Sequence, residues 1–88
     1  MQDVDAAADK CIGAFTPLIK AMVENEDSVH ISVHPTDSML IIEVSVARED
    51  IGKVIGREGR NAESLRRLAL AICGRYRMKS HLVIAEPK

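Results

Sequence analysis

Tryptophan is absent from this 88-residue chain, and Phe15 and Tyr76 are its only aromatic residues. Its core must therefore be aliphatic, and a sheet face that stacks bases on aromatic rings is excluded. The two cysteines, Cys11 and Cys73, lie far apart with no CxxC spacing and no Cys/His cluster, so no metal or redox motif is present. Both fall in apolar helical patterns and read as buried free thiols, which fits a reducing cytoplasm. No run of about 18 apolar residues exists, so no membrane span is expected. The N-terminus is acidic and unlike a signal peptide, which again places the chain in the cytoplasm.

Catalytic chemistry is also missing. Ser64 has no recognisable triad partners. His30 and His34 share one strand face, but only His81 joins them, which is too little for zinc. The expectation is a protein that is not an enzyme, with no metal, cofactor or small-molecule substrate.

What the chain does have is enough apolar sequence for one small core: 47% of its residues are hydrophobic. Its formal net charge of −1 hides an asymmetry. Residues 1–50 carry ten acidic groups against three basic ones, a charge of −7, and residues 51–88 carry nine basic against three acidic, a charge of +6. A basic half on a nearly neutral protein is a local footprint for a polyanion.

Hydrophobic periodicity orders the elements. Residues 2–14 are Ala-rich and helix-prone, with Cys11, Ile12, Phe15, Leu18, Ile19, Met22 and Val23 at helical spacing. Thr16-Pro17 carries a start signal, so the firm helix is expected at about 17–25, with residues 1–14 a helical or frayed extension of a domain spanning 15–88. Val29, Ile31 and Val33 alternate with polar residues, as do Leu40, Ile42, Val44 and Val46 after the turn at 34–38, giving an antiparallel hairpin. A short helix is expected over 48–55 and a longer one over 60–73, its stripe formed by Ala62, Leu65, Leu68, Ala69 and Ile72 and its end marked by Gly74. His81 to Ala85 reads as a third strand after a basic connector, Arg75 to Lys79. The fold class is α+β: a three-stranded mixed sheet covered on one face by three helices, in the order α-β-β-α-α-β.

Between the last two helices lies Ile55-Gly56-Arg57-Glu58-Gly59-Arg60. Glycines let a ligand approach the backbone, a helix start presents free N–H groups, and Arg57 and Arg60 add positive charge. This is a place for a phosphate, although a glycine pair alone is a weak signal and also serves as a plain helix connector. Arg66 and Arg67 read as a solvated helix face; Arg75, Arg77 and Lys79 extend the basic track or belong to ordinary surface.

The stretch from Val54 to Arg60, followed by Leu65 in an amphipathic helix, resembles the signature of a KH domain, and the element order is similar to the prokaryotic, type II form. The segment Val44 to Leu65 resembles the small bacterial KH-domain RNA-binding proteins of the KhpA type, and the match spans about Phe15 to Pro87. The resemblance implies single-stranded RNA binding, with the glycine loop clamping the backbone of about four nucleotides. By position, Gly56, Arg57, Glu58 and Gly59 form that loop. Lys53, Val54 and Ile55 lie on its approach, and Arg60, Asn61, Ala62 and Leu65 begin the helix that walls an apolar groove. Glu58 is a departure, because a negative charge in the loop offsets Arg57 and weakens the clamp. The resemblance also implies a post-transcriptional regulator or RNA chaperone that forms a homodimer or pairs with a larger KH protein of the Jag type. Two other functions fit the same features: a protein-interaction or dimerisation module, and a single-stranded DNA binder.

Overall fold

Alternation along the second strand sets the position of the core. Leu40, Ile42, Val44 and Val46 are buried, whereas Met39, Ile41, Glu43 and Ser45 between them are half-buried on the opposite face. The computed structural model describes residues 3–85. Gln2, where the helix-prone stretch begins, and the 86–88 end of the expected domain lie outside the described residues. The elements are α1 (Val4–Met22), β1 (His30–Pro35), β2 (Met39–Ser45), α2 (Ile51–Ile55), α3 (Arg60–Arg75) and β3 (Lys79–Ile84), in the expected order.

The sheet has the strand order β1-β2-β3. β1 runs antiparallel to β2, with His30 opposite Ser45 and Pro35 opposite Leu40. β3 runs parallel to β2, with Met39 opposite Lys79 and Val44 opposite Ile84. The parallel pair requires a crossover, and α2, the glycine loop and α3 supply it. The sheet is therefore mixed and central β2 is paired on both edges. Helix α1 packs on β1 and α3, and α3 packs on β3. The helices bury Phe15, Ile19, Val54, Leu65 and Ala69 against Leu40, Ile42, Val44 and Leu82 of the sheet.

Three boundaries differ from the expectation, each for a physical reason. The first helix does not start at Thr16-Pro17. It is one helix from Val4 to Met22, capped by the Asp3 side chain, which accepts from Ala6 N at 3.0 Å. Ala7, Cys11, Phe15 and Ile19 are buried at a strict four-residue spacing, and only a continuous helix keeps that stripe on the core. Packing on both sides of Pro17 outweighs the roughly 3 kcal/mol that an interior proline costs.

Gly74 does not end α3. The left-handed residue is Arg77, with φ 61°. Arg77 N donates to Gly74 O and Met78 N to Cys73 O, both at 3.0 Å, the paired bonds of a Schellman end. Met78 is buried there. β3 also starts earlier, at Lys79, because Lys79 N donates to Ser38 O at 3.0 Å.

The stripe on α3 is rotated from the expected one. Ala62, Leu65, Ala69 and Cys73 are buried, while Leu68 is 47% exposed. Cys73 meets Cys11 of α1, Sγ to Sγ at 3.8 Å, and both thiols are free.

Candidate nucleic-acid interface

Helix α2 is only five residues long, and Gly56 ends it. Gly56 N donates to Gly52 O at 2.9 Å, completing the last turn. The backbone then leaves the helix at φ 78°, ψ 173°, a region open to glycine and costly for any residue with a Cβ. The next three residues, Arg57–Gly59, form a tight 3-10 turn. Gly59 N donates to Gly56 O at 3.1 Å. Glu58 (φ 55°, ψ 25°) and Gly59 (φ 75°, ψ 14°) are both left-handed. Two successive left-handed residues turn the chain sharply into α3.

The expected loop residues therefore form one projecting turn. Arg57, Glu58 and Arg60 are exposed, and Gly56 and Gly59 are half-buried. Among the described residues Arg57, Glu58 and Arg60 form no ion pair, so Glu58 does not neutralise its neighbours by contact. Its charge still lowers the local positive potential. A Cβ built at Gly59 meets nothing within 4 Å, so the space beside it is open. The loop feeds the N-terminus of α3, a 16-residue helix whose first N–H groups and dipole favour an anion.

The flanking residues divide into two sets. Ile55 is 37% exposed beside the loop and gives an apolar surface. Val54, Ala62 and Leu65 are buried, Val54 and Leu65 within the hydrophobic core. The Lys53 ammonium is held by Asp50 Oδ1 at 3.3 Å. Asn61 Nδ2 donates to Lys53 O at 2.9 Å, from the first turn of α3 back to the end of α2. Further along α3, Arg66 Nε reaches Leu82 O at 3.5 Å and so leans across toward β3, whereas Arg67 pairs with Glu63 at 3.7 Å on the open surface.

Asp50 stands just before α2, and its role was not read from the sequence. It is fully buried. Its Oδ1 accepts from Glu24 N at 3.2 Å, and its Oδ2 accepts from both Asn25 N and Asn25 Nδ2 at 2.9 Å. Burial pushes the carboxyl pKa up, but the hydrogen bonds from Asn25, Glu24 and Lys53 outweigh it and hold the group at about 2. Asp50 thus ties the chain after α1 to the start of α2.

Away from the loop, Lys10, Ala14, Ala71, Ile72, Arg75 and Tyr76 line an open hollow of about 270 Å³ between α1 and α3. The Arg75 guanidinium lies 5.2 Å from the Tyr76 ring centre. The described residues contain no group of three or more His, Cys, Asp or Glu side chains that could hold a metal ion. None of their helices is long and apolar enough to cross a membrane.

A short helix, a two-glycine turn with basic residues and a longer helix, inserted between two parallel strands, is the arrangement that the sequence resemblance implied. The comparison with known families agrees: the family described as "KhpA/KhpB, KH domain" matches residues 16–84. The chain belongs to the KhpA/KhpB KH-domain family. "RNA-binding protein KhpA" of Chlamydia caviae is 38% identical over 71 residues, covering 81% of this chain and 91% of the relative. The protein of the same name from Listeria monocytogenes is 36% identical over 69 residues, covering 78% and 91%. That of Caldanaerobacter subterraneus is 44% identical over 54 residues, covering 61% and 72%. The KH match begins within α1, twelve residues after the helix itself starts at Val4.

Proposed function

We propose that this KH domain binds single-stranded RNA by holding the phosphate backbone against Gly56, Arg57, Glu58, Gly59 and Arg60. The observation that carries the reading is the turn itself. It presents an open face at Gly59 and, at the start of a long helix, two arginines that form no ion pair among the described residues. The relatives' name, RNA-binding protein KhpA, supports the same ligand. Ile55 offers an apolar rest for a base, Lys53 lies on the approach with its ammonium paired to Asp50, and Asn61, Val54, Ala62 and Leu65 hold the turn in place. With so few contacts one domain binds modestly, so a homodimer or a larger KH partner of the Jag type would supply the rest. The corresponding cellular role is that of a cytoplasmic post-transcriptional regulator or RNA chaperone.

A salt series tests the phosphate reading. Neutralising two or three phosphates of a single strand gives a slope of log K on log salt between about −1.4 and −2.1. Affinity that does not change with salt contradicts it, and equal affinity for a matched single-stranded DNA assigns the site to both polymers.

A second reading has its own support. Leu68 and Leu70 are 47% and 57% exposed on different sides of α3, apolar side chains left open to a protein partner. Light scattering of the free chain separates a self-associating module from a monomer.

A further inference from the structure

The two loop glycines stand in different surroundings. A Cβ added at Gly59 meets nothing within 4 Å. A Cβ added at Gly56 falls 2.6 Å from Asn61 Cγ, 2.8 Å from Asn61 Nδ2 and 2.9 Å from Asn61 Cβ. Gly56 is thus bare for two reasons: its backbone at φ 78° suits only glycine, and the Asn61 side chain occupies the space beside it. The same side chain is fixed at its other end, where Nδ2 donates to Lys53 O at 2.9 Å. Because α2 stops at Ile55, its last carbonyls lack helical partners, and Asn61 satisfies one of them from the following helix.

From these contacts we infer that Asn61 is the positioning residue of the phosphate loop. It clasps the end of α2 to the start of α3, packs on Gly56, and so sets the curvature that leaves Gly59 open to ligand. Gly56 serves the clasp and Gly59 serves the ligand. Asparagine suits the position because the clasp needs a donor facing a carbonyl oxygen, on an arm short enough to lie flat against a glycine. Aspartate has the same shape but puts negative oxygens against Lys53 O and offers no proton at neutral pH. The inference about loop shape stands on the free protein alone; its effect on RNA rests on the function proposed above.

The experiment has two arms. In the free ¹⁵N-labelled protein, Asn61→Asp speeds amide–water exchange at Gly56 and Gly59 by roughly fivefold, the factor for losing one ordinary hydrogen bond. Exchange at Ile42 and Val44 in the sheet stays unchanged. Unaltered exchange at the two glycines overturns the inference, whatever the protein binds. In the RNA arm the neutral variant Asn61→Ala, which removes the donor without adding charge, weakens binding severalfold without changing the salt slope, because no phosphate contact is removed. Gly56→Ala and Asn61→Ala are also coupled: the double variant binds no worse than Gly56→Ala alone, since both break one clasp. If the losses add in full, Asn61 acts independently of Gly56 and the inference fails. If Gly56→Ala does not fold, Asn61→Ala alone decides, with wild-type affinity counting against the inference. Absence of RNA binding by the wild-type chain overturns the proposed function and leaves the exchange result to judge the clasp.

Discussion

Asp50 Oδ2 lies 2.9 Å from both the main-chain N and the side-chain Nδ2 of Asn25. One buried carboxylate thereby joins two segments 25 residues apart and fixes where α2 begins. Removing it leaves the Glu24 and Asn25 donors without their acceptor. Asp50→Ala is therefore expected to lower the melting temperature much more than Lys53→Ala, whose side chain is 43% exposed and easily hydrated. Asp50→Asn retains the shape and loses less than Asp50→Ala. Thermal melts of the three variants check the order.

The same group predicts an acid limb. Its folded pKa of about 2 lies below the ordinary value of 3.8, so the folded state favours the ionised form. The stabilisation is complete above the unfolded pKa and disappears as pH falls through the folded one. Urea midpoints should decline between about pH 4 and pH 2. The Asp50→Asn variant should show a shallower decline over that window. Equal slopes would remove Asp50 from the account.

Glu58 carries two costs, a left-handed backbone at φ 55° and a negative charge in the middle of the turn. Asparagine tolerates that conformation better and is neutral. Glu58→Asn should tighten RNA binding by about fivefold at low salt, the scale of one surface charge interaction near 4 Å. The gain should shrink at high salt as screening sets in. Paired titrations at two salt concentrations read it directly.

Burial pushes the Cys11 thiol up to about 12, with Cys73 beside it adding to the shift, and burial also raises Cys73. Neither presents a thiolate at neutral pH, and neither is exposed. A chromogenic disulfide reagent should leave the folded protein unlabelled and titrate two thiols in urea. Rapid labelling of the native chain would show that α1 and α3 separate readily.

Much of this architecture was legible in the residues. Strict alternation at Leu40, Ile42, Val44 and Val46 has one half-buried solution, and the glycine turn between two helical patterns located the candidate site. The misplacements share a cause: local signals yielded to tertiary packing. Thr16-Pro17 is a sound start signal, yet Ala7 and Cys11 bury on the same stripe as Phe15 and pull the helix through the proline. Gly74 is a sound stop signal, yet the turn that buries Met78 falls on Arg77. Leu68 belongs to the apolar stripe by composition, but Cys73 turns that stripe toward α1. The roles of Asp50 and Asn61 are pairings between segments brought together by the fold, and no local pattern announces such partners.

The measurement that bears most directly on the central claim compares wild type with Gly59→Asp in an anisotropy titration of labelled single-stranded RNA. Aspartate is among the residues that tolerate the left-handed backbone at Gly59, and nothing there obstructs its Cβ, so the variant should fold, with a melting temperature lowered by the strain of a side chain at φ 75°. Its carboxylate stands where the phosphate is proposed to lie. The account predicts a loss of affinity on the order of tenfold or more at low salt, shrinking as salt rises. Unchanged binding by the folded variant would contradict it.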